Sequence, residues 1–142
     1  MQLEVDGCAV ELSKTVSYKG MMLSGVPNFA WTIGYTNASW TLKADLVAEY
    51  VCRLLKHMDE HGYAVVTPDA ADAAAANPFL DLASGYVKRS LAELPKQGDR
   101  APWRLHQNYV KDVRLLRRGP IDDGVVFTPA VSVTDERTRS IA

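Results

Sequence analysis

The chain has 142 residues, of which 47% are hydrophobic, and its formal net charge is −1. This length suits one ordinary domain, the apolar fraction excludes a disordered chain, and the near-neutral charge excludes a polycation or an acidic tail. No apolar run is long enough to span a bilayer and the N-terminus does not have the basic start of a signal peptide, so we expect a cytoplasmic protein.

The first part of the chain predicts short strands followed by one long helix. Asp6-Gly7 lies between two short alternating segments, a pattern that predicts a β-hairpin. The apolar run over 29–35 predicts a strand that is buried on both faces. Over 42–61, apolar residues recur at steps of three and four, which predicts an amphipathic helix that ends at Gly62. A short strand is expected over 63–67.

The rest of the chain is more polar and includes a basic region. Between residues 84 and 118 there are nine Lys and Arg against three Asp and Glu, a local charge of +6. Two shorter helices are predicted there, over 85–94 and 105–117, with a last strand over 125–127. We therefore expect an α+β fold with four segments, which are strands plus the long helix (1–67), an alanine-rich loop (68–83), a basic helical region (84–127) and a loose tail (128–142).

A neutral polar turn joins the apolar run to the long helix. Residues 34–42 contain several hydroxyls and one amide, and no charge precedes Lys43. A strand, a polar turn and a helix N-terminus together place backbone N–H groups against an electron-rich ligand. The alternative interpretation is a plain helix start, in which Thr36, Asn37 or Ser39 is the N-cap.

The basic region leaves three interpretations open. Its cations are interleaved with Trp103 and Tyr109, a mixture that nucleic-acid binders use for phosphates and stacked bases. An arginine there could instead meet the 2′-phosphate of an NADP cofactor. The third interpretation is a solvated helix face, whose long basic side chains simply cover apolar surface.

No catalytic group or metal site is predicted from the side chains alone. His57 and His61 are one helical turn apart, but Met58 stands where a zinc protease needs a glutamate. Cys8 and Cys52 are far apart in sequence, and nothing places either of them beside a base.

Many short motifs resemble one enzyme family, and they extend over most of residues 19–123. These motifs lie at 19–23, 26–28, 34–46, 84–87, 94–98, 102–105, 107–109, 117–119 and 122–123. The sequence resembles the C-terminal third of class B flavin-dependent monooxygenases of the Baeyer–Villiger type, in particular the subgroup that includes the ethionamide-activating monooxygenase.

The resemblance implies an enzyme that uses FAD, NADPH and O₂ to oxygenate a ketone, or a sulfur or nitrogen centre, in a small-molecule substrate. It implies that the helix N-terminus faces the flavin, with Asn37, Trp40, Thr41 and Leu42 on the FAD side. Thr41 and Leu42 would act through their backbone N–H groups. Neutral donors and the positive end of the helix dipole would stabilise negative charge on the reduced ring.

The resemblance also implies an NADP side. Related enzymes have a tryptophan near the NADP and an asparagine five positions later, and Trp103 and Asn108 have that spacing. Arg104 is the adjacent cation that could meet a phosphate.

The family's two glycine-rich dinucleotide-binding turns are absent from these 142 residues. We therefore expect a fragment of a larger FAD/NAD(P)-binding α/β fold that is inactive alone and either self-associates or needs a complementing N-terminal polypeptide. No nucleic-acid partner is expected on this hypothesis. The alternative is a non-enzymatic interaction module that binds a partner protein or an anion through its basic helix.

Overall fold

A computed structural model describes residues 2–71, 73, 77–79 and 93–130, which form an α+β fold. The strands of this described part are β1 (Glu4–Val5), β2 (Cys8–Ala9), β3 (Ser17–Tyr18), β4 (Met22–Leu23), β5 (Tyr63–Pro68), β6 (Asn77–Pro78), β7 (Lys96–Gln97) and β8 (Val125–Pro129). Its helices are α1 (Trp40–His61) and α2 (Tyr109–Val113), with a single 3₁₀ turn over Leu12–Lys14 and a π-helical continuation of α2 over Arg114–Arg118.

The described strands form antiparallel pairs rather than one continuous sheet. The pairs are β1 with β2, β3 with β4, β5 with β8, and β6 with β7. The hairpin predicted around Asp6-Gly7 is confirmed, because both residues have the positive φ angles that a tight β1–β2 turn requires. The strand predicted over 63–67 is also confirmed, as is the last strand, although β8 extends to Pro129.

The strand predicted over 29–35 is wrong for this structure. These residues are in an irregular extended segment, and most of them are only half-buried. Within the segment, the Trp31 backbone N–H donates to the Met21 carbonyl at 2.8 Å, but no described strand runs beside it to form a ladder. The apolar run therefore predicted burial correctly only in part, because a strand also needs a neighbour for its backbone groups.

The long amphipathic helix is confirmed. It ends at Gly62, whose left-handed φ of 68° lets its N–H cap the last carbonyls of α1. The apolar face of α1 packs on β5, on α2 and on its π-helical continuation, and its buried residues share one core with Tyr18 and Met22. The buried residues of this face are Leu46, Val47, Tyr50, Leu54 and Met58. Two apolar residues of the stripe, Leu42 and Leu55, remain exposed.

Two helices are predicted in the basic region. The structure describes only the second of them in full, and this helix begins later than predicted. Residues 85–92 of the first predicted helix are among those not described. The second helix was expected over 105–117 but begins only at Tyr109. Gln107 has a left-handed φ of 46°, which interrupts any helix, and Asn108 is the N-cap. Helical structure then continues to Arg118, close to the expected end.

A buried ion pair joins the two helices. The Lys43 ammonium, in α1, donates to Asp112 Oδ2, in α2, at 2.9 Å, and each residue is 1% exposed. The Tyr35 hydroxyl donates to the same carboxylate oxygen at 2.8 Å. Burial, together with this hydrogen bond, raises the pKa of Tyr35 above its usual value. The group therefore ties the segment before α1, the first turns of α1, and α2 together.

A second buried cation joins the β3–β4 turn to the loop before β8. Lys19 Nζ donates to Asp123 Oδ1 at 2.7 Å and to the Pro120 carbonyl, and it lies about 5 Å from the ring centres of Tyr18 and Tyr50. Burial lowers the pKa of Lys19 and raises the pKa of Tyr50 to about 12. Stability here also depends on contacts between segments far apart in sequence.

We predict that Lys43→Met strongly destabilises the chain, by about 3–5 kcal/mol, because it leaves the Asp112 carboxylate buried without its cation. The double variant Lys43→Met with Asp112→Leu should recover most of this loss, since neither charge then remains in the core. Urea unfolding monitored by circular dichroism measures the free energy of unfolding in each case.

The matched control for this prediction is Glu49→Gln. Glu49 makes a two-point ion pair with Arg117, but both side chains are close to half exposed, so its loss should change the free energy of unfolding very little. If Lys43→Met were no more destabilising than this control, the assigned role of the buried pair would be wrong.

Candidate functional site

The start of α1 offers uncapped backbone donors. Ser39 is the N-cap, which agrees with one of the three residues considered from the sequence, but its side chain makes no capping bond to the helix. Its hydroxyl is instead 2.8 Å from the Thr41 hydroxyl. The first turn contains no acidic residue. Among the residues that the structure describes, no side chain caps this turn, so its N–H groups and the positive end of the helix dipole can serve an electron-rich ligand.

The residues predicted for the FAD side are together at this helix start, and all of them are exposed. Trp40 has 61% of its surface exposed and Leu42 has 36%, while Asn37 and Thr41 are also exposed. The Trp40 ring lies directly against Gly34, where any Cβ would collide with it. Gly34 therefore sets how closely the ring approaches the turn. The flavin-side assignment of these four residues remains a prediction.

Gln107 links this turn to the segment that precedes α2. Its Oε1 accepts from the Thr36 backbone N–H at 2.8 Å and from the Thr36 hydroxyl at 3.2 Å. Its Nε2 is 3.5 Å from the Gly34 carbonyl, at the limit of a hydrogen bond. Gln107 is not among the site residues predicted from the sequence. No periodic or spacing signal could have found it, because its partners are 71 residues or more away.

The residues predicted for the NADP side have different environments. Trp103 is buried, and its ring packs edge-on against Tyr18 at 5.4 Å between ring centres. The Asn108 side chain accepts from the Lys111 N–H at 3.1 Å as the N-cap of α2. Arg104 is exposed, with Nη1 only 3.4 Å from the Asp99 carbonyl. Trp103 and Asn108 thus have structural contacts of their own, and their assignment to NADP remains a prediction.

A polar cavity of about 310 Å³ lies beside this segment. Among the described residues, its walls are formed by Asn77, Pro78, Phe79, Gln97, Arg104, Leu105, His106 and Gln107. Arg104 is the cation among these described wall residues, and burial lowers the pKa of His106. Gln107 lines this cavity and also binds Thr36 in the turn before α1, so its side chain lies between the two surfaces.

The two histidines of α1 are part of an aromatic cluster. Their ring centres are 4.2 Å apart, and they pack with Tyr63 and Phe127. His61 Nδ1 is 2.8 Å from the His57 carbonyl. Across the described ranges there is no group of three or more His, Cys, Asp or Glu side chains that could hold a metal ion.

Two arginines, one in α1 and one at the end of the π-helical segment, join these two helical elements. Arg117 contacts Glu49, as described above, and Arg53 donates to the carbonyls of Leu116 and Gly119 at 2.6 and 3.0 Å. These contacts fix the end of the π-helical segment on α1. In the part of the chain that the structure describes, no helix is both long enough and apolar enough to cross a membrane.

The helix start offers neutral donors and has no acidic residue in its first turn, a chemistry that is compatible with the edge of an electron-rich ring such as a flavin. Within these 142 residues there is no glycine-rich dinucleotide turn of the kind that binds a pyrophosphate.

Comparison with known proteins gives close relatives among flavoenzymes. The chain is 60% identical over 120 residues to the FAD-containing monooxygenase EthA of Mycobacterium tuberculosis, a match that covers 84% of this chain and 24% of the relative. It is 55% identical over 119 residues to EthA of Mycolicibacterium smegmatis, with 83% and 24% covered. It is 44% identical over 135 residues to a protein of Acinetobacter baylyi described as "Probable FAD-binding monooxygenase AlmA", with 94% and 27% covered.

No family model matches the chain, and no solved structure matches it significantly. The chain spans about a quarter of the length of the curated relatives it matches. Those relatives are monooxygenases by name, and they give no support to the alternative of a non-enzymatic interaction module. Over most of its length, the chain is a homologue of one segment of the FAD-containing monooxygenases.

Proposed function

We propose that the chain is part of an FAD-dependent monooxygenase and supplies the surface that borders one edge of the flavin. The observation that carries this proposal is the 60% identity to an FAD-containing monooxygenase over 84% of the chain. The exposed and neutral start of α1 supports the choice of surface, because such a helix end attracts negative charge. Sequence outside these 142 residues would have to supply the pyrophosphate and adenine sites.

The residues of the helix start would each act on the flavin edge in a different way. The Asn37 amide and the backbone N–H groups of Thr41 and Leu42 would donate hydrogen bonds to the ring. The exposed Trp40 ring would cover the edge and exclude water from it. The bound flavin would supply the redox chemistry, and the helix dipole would stabilise the negative charge of its reduced form.

The same proposal includes NADPH as the reductant, O₂ as the co-substrate and a small molecule as the substrate. The oxygenated centre would be a ketone carbon or a soft sulfur or nitrogen atom. Arg104 would meet a phosphate of NADPH, a role that its exposure beside the polar cavity permits. Trp103 and Asn108 would support the NADPH side indirectly. Trp103 packs on Tyr18, and Asn108 caps α2.

We predict that the purified chain alone does not bind FAD tightly, because it offers only the edge of a site. Mixed with the remaining three quarters of a relative, produced as a separate polypeptide, it should form a yellow complex. Titration followed by visible absorbance and by quenching of flavin fluorescence measures the affinity in both cases. The remaining three quarters of the relative without this chain are the control.

Two results would contradict the proposal. Tight FAD binding by the chain alone would show that the site is complete in these 142 residues. Equal FAD affinity of the relative's remaining part with and without the chain would show that this surface does not border the flavin.

We predict that Trp40→Ala lowers the FAD affinity of the complemented pair by about tenfold, equivalent to about 1.4 kcal/mol, through loss of the ring that covers the flavin edge. The matched control is Leu55→Ala on the same helix, since Leu55 is 54% exposed against 61% for Trp40 but lies far from the helix start. The control should leave the FAD affinity unchanged. If both variants changed the FAD affinity equally, Trp40 would not be part of the flavin site.

A further inference from the structure

Gln107 has a backbone conformation that its residue type does not favour. Its φ of 46° is in the left-handed region, which side chains other than glycine rarely adopt outside turns and caps. Such a conformation persists only where surrounding contacts determine it, and it is often found at sites with a functional constraint. The contacts responsible therefore indicate what Gln107 is held in place to do.

Those contacts run in both directions from the segment that contains Gln107. On one side, Gln97 Oε1 accepts from the Leu105 backbone N–H at 2.9 Å and so holds the segment against β7. On the other side, the Gln107 amide accepts twice from Thr36 and approaches the Gly34 carbonyl. Gln97 thus holds this segment against β7, and Gln107 binds the turn before α1.

The bond to Thr36 is at the surface, and it adds little to the stability of the core. Thr36 is exposed, and the helices beneath the turn are already joined by the buried pair of Lys43 and Asp112. A hydrogen bond at an exposed position contributes little net stability, because water competes for both partners. The bond does hold Thr36, which lies between Gly34 and the N-cap Ser39, against the segment that precedes α2.

We propose that Gln107 is a positioning residue that holds the turn over 34–39 in the geometry needed at the flavin edge. This inference rests on the proposed function, because it takes the turn to border the flavin. Gln107 acts through Thr36 and Gly34, and it does not touch the cofactor itself. Gln107 also lines the polar cavity beside Arg104. Its side chain therefore connects the surface proposed for FAD with the surface proposed for NADPH.

The bond itself is tested on the 142-residue chain by amide hydrogen exchange measured with NMR. Gln107→Leu removes the acceptor and should raise the exchange rate of the Thr36 amide by about tenfold or more, with little change in the free energy of unfolding. Gln107→Glu keeps an acceptor at the same reach and should preserve the protection. Lys111→Leu is the matched control, an exposed change of similar size close to the same segment. An unchanged Thr36 amide in Gln107→Leu would overturn the proposal.

The positioning role is tested by FAD titration of the complemented pair. Gln107→Leu should weaken FAD binding several-fold and shift the flavin reduction potential to a more negative value, because the donors that stabilise the reduced ring are no longer aligned. Lys111→Leu should change neither quantity. A purely structural bond would leave the potential unmoved, so an unchanged potential and affinity in Gln107→Leu would contradict the positioning role alone. Absence of FAD binding by the unaltered pair would instead contradict the proposed function.

Discussion

The buried ion pair of Lys43 and Asp112 is the constraint on which the arrangement of the candidate site depends. Each charge would cost several kcal/mol if it were buried alone, so the two helices that carry them stay together. Because Tyr35 shares the same carboxylate oxygen, the chain just before the polar turn is fixed as well. The buried group of Tyr35, Lys43 and Asp112 therefore orients the first turn of α1, although this group does not itself reach the surface.

Above this rigid base, the proposed flavin surface is made of exposed residues with few contacts of their own. The Trp40 ring is supported by Gly34, and the turn is supported by Gln107. This separation between a buried support and an exposed rim is common in binding sites, where supporting contacts hold the donors in place before the ligand arrives. Neither support caps the first-turn donors of α1, and no other side chain in the described ranges does so.

Local features of the fold were predictable from the sequence, and long-range features were not. Helix α1 carries its own periodic pattern and a glycine cap, and the hairpin at Asp6-Gly7 carries its own turn signal, so both were predicted correctly. The run over 29–35 was misassigned, because apolar character indicates burial but does not reveal whether a neighbouring strand exists. The late start of α2 had a usable signal in Asn108, a favoured N-cap residue. The contacts of Gln107 and of the buried ion pair had no local signal.

The pairing of β5 with β8 joins two distant parts of the chain, with Tyr63 opposite Pro129 and the Ala130 N–H donating to the Gly62 carbonyl. During synthesis, α1 can form from contacts within itself, whereas this pair must wait until β8 has left the ribosome. Until then, the aromatic and aliphatic side chains that β8 covers are accessible to water and to other proteins. Before β8 docks, the nascent polypeptide is therefore accessible to chaperones and prone to aggregation.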